Sequence, residues 1–94
     1  MNGLATAGGC QIVLACDLLT ATRKAALGMT GLKVGMFCGT PGVELVRSLP
    51  STKKTMEMLL VSEPMQAEEA HRLGVINRIF DESVLDVKTL EFAN

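Results

Sequence analysis

The chain has 94 residues, 48% of them apolar and 20% charged, which is enough for one small globular domain and too apolar for a disordered tail. Nine Lys and Arg against ten Asp and Glu leave a net charge of −1, which gives no sign of an electrostatic grip on nucleic acid or anionic lipid. With three Phe, no Trp and no Tyr, a stacking platform for single strands is not expected, and the apolar run from Ile12 is far short of the roughly 20 residues that span a bilayer.

The amino end reads as neither a secretory signal nor an Arg-rich leader. Asn2-Gly3 favours a tight turn at the end of a strand, yet no strand precedes it. The stretch before Gly8 is therefore expected to be a disordered stub or part of a domain whose beginning lies upstream. From Gly8 to Asp17 the residues are apolar nearly all round, predicting a short helix buried on most sides. Leu18–Thr22 suits a strand, and Ala25–Gly28 can pair with it after a turn at Arg23-Lys24. Met29–Gly39 holds three glycines and reads as an irregular loop with at most a short turn of helix.

Helices dominate the remainder. Thr40 precedes Pro41 as a cap would, and Leu45, Val46 and Leu49 face one way until Pro50. Ser51 caps the next helix, whose expected stripe is Met56, Leu59 and Leu60, and Pro64 breaks it. Residues 66–73 form a short helix with Ala67, Ala70 and Leu73 inward, closed by Gly74 in a left-handed cap. Val75–Phe80 is a strand candidate, and Asp81 caps a last amphipathic stretch with Val84, Val87 and Leu90. The fold class is α/β, helix-rich with two or three short strands, in one domain over residues 1–94. These elements carry more apolar surface than one core of this size covers, as expected of a piece of a larger fold or of an oligomer subunit.

Small residues leading into a buried helix let another group approach the backbone at Gly8 and Gly9. The first N–H groups of a helix lack intrahelical partners, and that end carries roughly half a positive charge. Two readings stand side by side: a backbone N–H aimed at a developing oxyanion, or glycines that merely permit tight packing. No G-x-G-x-x-G or Gly-Lys-Ser/Thr pattern is present, so neither a dinucleotide nor a nucleotide-phosphate loop fits. Cys10, Cys16 and Cys38 form no C-x-x-C pair and read as reduced, buried thiols. His71 on a charged helix reads as a solvated imidazole, Asp17 as a local partner or cap, and Glu44 and Glu63 as helix-surface and turn carboxylates. The methionines read as core or interface filler, although Met36-Phe37-Cys38 could border a pocket. No metal-ligand cluster is legible.

The run Asn2-Gly3-Leu4-Ala5-Thr6-Ala7-Gly8-Gly9-Cys10-Gln11, followed by Cys16-Asp17, resembles the N-G-x-A-x-G-G-G-x-E…C-D signature of the enoyl-CoA hydratase/isomerase (crotonase) superfamily. Glu63-Pro64-Met65-Gln66-Ala67-Glu68-Glu69-Ala70, then Leu73-Gly74-Val75-Ile76, is similar to a second family segment in register with the first. The resemblance covers about residues 1–80. It implies a spiral of ββα units assembled as homotrimers or hexamers, and an acyl-CoA thioester as substrate, with no cofactor, nucleic-acid or membrane partner. Gly35–Val43 resembles a mitochondrial member, which implies that location. Gly8 falls on the second of the family's two backbone donors to the enolate oxygen, with Gly9 beside it in the substrate site. The first donor and most of the CoA-binding loop belong upstream, and a carboxy-terminal helical region completes the pocket in many members.

Two departures bear on activity. Where the family has its two glutamates, this sequence has Gln11 and Gly31. An amide has no proton to exchange near neutral pH, and glycine has no side chain. A positioned general acid or base contributes about 10²–10⁴-fold, so hydration is expected to be largely lost. Three expectations follow: a thioester-binding protein of weak or altered chemistry, a non-catalytic binding or assembly subunit, or an inactive truncated product.

Overall fold

Leu4–Thr6 forms a strand, β1, in a computed structural model that describes all 94 residues. It lies parallel to β3, Ala26–Gly28, with Leu4 opposite Ala26 and Thr6 opposite Gly28. The amino end is tied down as well, because the Thr22 N–H donates to the Met1 carbonyl and the Ala26 N–H to that of Gly3. The disordered stub is thus corrected to a paired strand. Small side chains made it unreadable alone, since pairing with β3 supplies what its own hydrophobicity does not.

Helix α1, Gly8–Ala15, follows after a single residue, Ala7. Cys10 and Leu14, one turn apart, are buried, while Ile12 and Ala15 are exposed. The expected burial on most sides therefore reduces to one face. β2 is only Thr20–Ala21, and its partner is β5, Arg78–Ile79, in parallel. The expected hairpin between Leu18–Thr22 and Ala25–Gly28 does not form. Instead β3 is the central strand of a second sheet in the order β1-β3-β4, with β4, Met65–Gln66, antiparallel. Ala25 and Ala26 are buried between these neighbours, which a two-stranded surface hairpin could not offer.

A 3-10 turn at Thr30–Val34 ends at Gly35, whose φ of 79° is left-handed. Helix α2, Gly39–Ser48, starts with Cys38 as its cap rather than Thr40. Helix α3, Thr52–Val61, keeps the expected cap, since Ser51 Oγ accepts the Lys54 N–H at 3.3 Å. It ends at Ser62, with φ 68°, before Pro64 is reached, and Ser62 Oγ donates to the Met29 carbonyl at 3.0 Å. Helix α4, Ala67–Arg72, buries Ala67 and Ala70, and Gly74 adopts φ 83° as expected. Helix α5, Leu85–Ala93, closes the chain and touches β2 through the 2.8 Å hydroxyl pair Thr20–Thr89.

One core of 16 buried residues, including Leu27, Met29, Leu45, Met58, Met65 and Ile76, lies between the sheets and helices. Several expected stripes differ from this. Val46, Met56, Leu60, Val84, Val87 and Leu90 are exposed, whereas Thr55, Met58 and Leu85 are buried. Helical spacing identifies an apolar face but not what covers it, and nothing in this chain covers those residues. The architecture is a helix-rich α/β arrangement, with β1 and β4 adding short strands to those expected.

Candidate active site

The turn from β1 into α1 rests entirely on Ala7, at φ 47° and ψ −115°. Its N–H donates to the Gly28 carbonyl at the end of β3, and its carbonyl accepts the Gln11 N–H, both at 3.0 Å. A Cβ added to Gly8 or Gly9 would meet nothing within 4 Å, and both residues are exposed. No turn or cap hydrogen bond engages their N–H groups. The first turn of α1 also carries no acidic side chain, so the positive end of the helix is left uncompensated.

Facing this turn across a cleft of about 440 Å³ are the 3-10 segment and the start of α2. Its lining includes Ala7, Gly31, Met36, Phe37, Cys38 and Pro41. Met36 and Phe37 are 66% and 61% exposed, which gives the cleft an apolar lip. Gly8 and Gly9 follow Ala7 directly but do not themselves line it.

Gly31 is enclosed by its own loop. A Cβ there would stand 2.7 Å from Cys38 Sγ and 2.8 Å from the Met36 carbonyl oxygen, closer than real contacts allow. The Met36 N–H donates to the Gly31 carbonyl at 2.9 Å, which draws the loop tight. No side chain fits at this position in the loop as it stands, a glutamate included. Gln11 is different: it sits half-buried on the first turn of α1, outside the residues that line the cleft.

The remaining candidates lie elsewhere or are inert. Burial pushes the Cys10 thiol from 9.0 up to about 11; a hydrogen bond from the Gly28 backbone works against this and the nearby Cys38 adds to it. A buried thiol held neutral in this way is a core group and not a nucleophile. Cys38 is buried too, but Cys16 is exposed, so only two of the three cysteines are buried as expected. His71 is on α4 and lines a different cleft, with Arg23, Glu68 and Arg78. Glu44 pairs with Arg47 at 3.5 Å on α2, and Glu63 and Asp17 are exposed. Nowhere do three His, Cys, Asp or Glu side chains converge as metal ligands. The residue that sequence reasoning missed is Ala7, because alanine gives no signal for a left-handed turn. The two glycines after it were the only hint.

The family model for enoyl-CoA hydratase/isomerase matches residues 1–94, the whole chain. The chain belongs to the enoyl-CoA hydratase/isomerase family. Among its relatives, enoyl-CoA hydratase domain-containing protein 3, mitochondrial, of Mus musculus is 44% identical over 93 residues, covering 99% of this chain and 31% of that protein. The (E)-benzylidenesuccinyl-CoA hydratase of Thauera aromatica is 41% identical over 86 residues, covering 90% and 33%. Among solved structures, an enoyl-CoA hydratase of Mycobacterium smegmatis has a TM-score of 0.92 at 42% identity, covering 98% of this chain and 35% of that one. Human enoyl Coenzyme A hydratase domain-containing protein 3 has a TM-score of 0.91 at 43% identity, covering 97% and 36%. The enoyl-CoA hydratase/isomerase fold is therefore present over this stretch, and the chain spans 31% to 36% of the length of these four relatives.

Proposed function

We propose that this chain binds acyl-CoA thioesters and polarises their carbonyl through the Gly8 N–H, with Gly9 in the same site, and that it hydrates enoyl-CoA poorly. The observation that carries the reading is the uncompensated amino end of α1, next to a cleft with an apolar lip, in a member of this family. A backbone donor fixed in place before the reaction stabilises charge on the carbonyl oxygen without reorganising. Met36 and Phe37 offer an apolar acyl chain a surface to leave water against. No metal or organic cofactor is called on, since CoA arrives as part of the substrate.

Poor hydration follows from the two positions that carry no carboxylate. Gln11 cannot shuttle a proton, and the loop around Gly31 is packed against any side chain. A non-catalytic role in assembly is supported by the exposed Val43, Val46, Leu60 and Val61 on α2 and α3, a pattern suited to contact with further protein such as the other subunits of a trimer or hexamer. The relatives named mitochondrial support that location for this protein.

Calorimetry with butyryl-CoA and with free CoA tests the reading, on the wild type and on Gly8→Pro. Proline is tolerated at the first helical position and removes the N–H. Its ring also crowds the methyl of Ala7 at φ 47° and ψ −115°, so Gly8→Pro is made in the Ala7→Gly background as well. The wild type should bind butyryl-CoA at least tenfold more tightly than free CoA, and Gly8→Pro should erase that difference while keeping its helical circular dichroism. A folded Gly8→Pro that keeps the wild-type preference for butyryl-CoA over free CoA would count against the oxyanion role. Crotonyl-CoA hydration should run at least about 10²-fold below that of a hydratase with both glutamates.

A further inference from the structure

Ala7 is an alanine in backbone territory that glycine occupies freely and other residues occupy at a cost. Strain of this kind persists only where the surroundings over-determine it. Here they do, because its N–H is tied to Gly28 and its carbonyl to Gln11, so the turn and the methyl it carries are both held in place. Ala7 also lines the cleft, unlike the two glycines that follow it. Covalent geometry puts any Cβ roughly 3 Å from the nitrogen of the next residue, which is Gly8. An oxygen accepting a hydrogen bond from that nitrogen, at about 2.9 Å, has the Ala7 methyl as a neighbour. The carbon bonded to that carbonyl is then among the first ligand atoms to meet it.

From this we propose that Ala7 is a specificity-determining residue whose methyl admits acyl-CoA thioesters unbranched at the carbon next to the carbonyl and turns away those with a methyl there. The inference rests on the thioester reading above. It goes further in naming the class of acyl group, and it puts the selection on a side chain where the donors have none. Gly8 and Gly9 leave open space, so they cannot discriminate.

The test compares dissociation constants for butyryl-CoA and isobutyryl-CoA, measured by calorimetry on the wild type, Ala7→Gly and Ala7→Ser. One misplaced methyl in a fitted site is worth about 10–200-fold. The wild type should favour butyryl-CoA by about tenfold or more. Ala7→Gly should bring the preference below about threefold by gaining affinity for isobutyryl-CoA, with no fall in melting temperature because glycine relieves the strain. Ala7→Ser, which keeps a side chain at the turn, should retain the wild-type preference. An unchanged ratio in an Ala7→Gly variant that still binds butyryl-CoA overturns the inference and leaves the thioester reading standing. Loss of the preference in Ala7→Ser overturns it too. Failure of the wild type to bind either thioester overturns both.

Discussion

Leu19 and Asn77 exchange two hydrogen bonds: the Leu19 N–H donates to Asn77 Oδ1 at 2.7 Å, and the Asn77 N–H donates to the Leu19 carbonyl at 2.7 Å. The pair clamps the entrance of β2 to the entrance of β5, at the point where each strand is too short to hold the other by itself. Asn77→Ala leaves the Leu19 N–H without its acceptor, at a cost of about 1–3 kcal/mol. Urea unfolding of the variant should show the loss as a lower midpoint with an unchanged slope.

Gly31→Ala is expected to destabilise the protein by about 1–3 kcal/mol, because the methyl must displace either Cys38 Sγ or the Met36 carbonyl. Gly31→Glu should fare no better and should not raise hydration of crotonyl-CoA. Gln11→Glu should instead be neutral or slightly stabilising, since it puts an acid on the first turn of α1. Thermal denaturation of the three variants in parallel checks the contrast. Equal stabilities would show that the loop gives way easily.

Cys10 predicts an alkaline loss of stability. Its thiol ionises near 9 in an ordinary setting and near 11 in the folded protein. The unfolded chain thus sheds this proton first as pH rises. The folded state is fully favoured below about 9 and loses ground on the way to 11, by about 1.4 kcal/mol per pH unit at most. Cys10→Ala should flatten the pH profile of the unfolding free energy between these limits. Alkylation at pH 8 should modify the exposed Cys16 well before Cys10 or Cys38.

Lys54 links α3 to α4 through Glu69 at 2.7 Å, and it reaches Glu57 on its own helix at 3.1 Å. Its pKa is raised above the ordinary lysine value, chiefly by the hydrogen bond to Glu69, with burial acting against it. The contribution to stability is therefore complete below that ordinary value and disappears as pH climbs through the raised one. Lys54→Met should cost up to about 1 kcal/mol at neutral pH, and less at high salt. Comparing melting temperatures in low and high salt separates this charge effect from lost packing.

The legible parts of the fold were those written in local chemistry. Ser51 and Gly74 announced a cap and a left-handed turn, and both are found. The small residues around Gly8 located the start of α1 correctly. Pairing between strands was not legible, because β1 and β3 owe their partnership to an intervening helix and not to any alternation of their own. The outward faces of α2, α3 and α5 misled for another reason: Val46, Leu60 and Leu90 are spaced like core residues, yet this chain gives them nothing to pack against. Near the cleft, Gly8 and Gly9 marked where the helix begins, whereas the constraint around Gly31 depends on Cys38 and Met36 folding back over it.

The parallel pairing of β2 with β5 governs how the protein is made. Thr20 meets Arg78, and Leu19 bonds to Asn77 across a separation of 58 residues. Such non-local ladders reward the chain only after a long loop has closed, which slows folding. A nascent polypeptide emerging from the ribosome therefore carries β2 without its mate until β5 has been added, and resistance to protease should arrive only once residues 77–79 clear the exit tunnel.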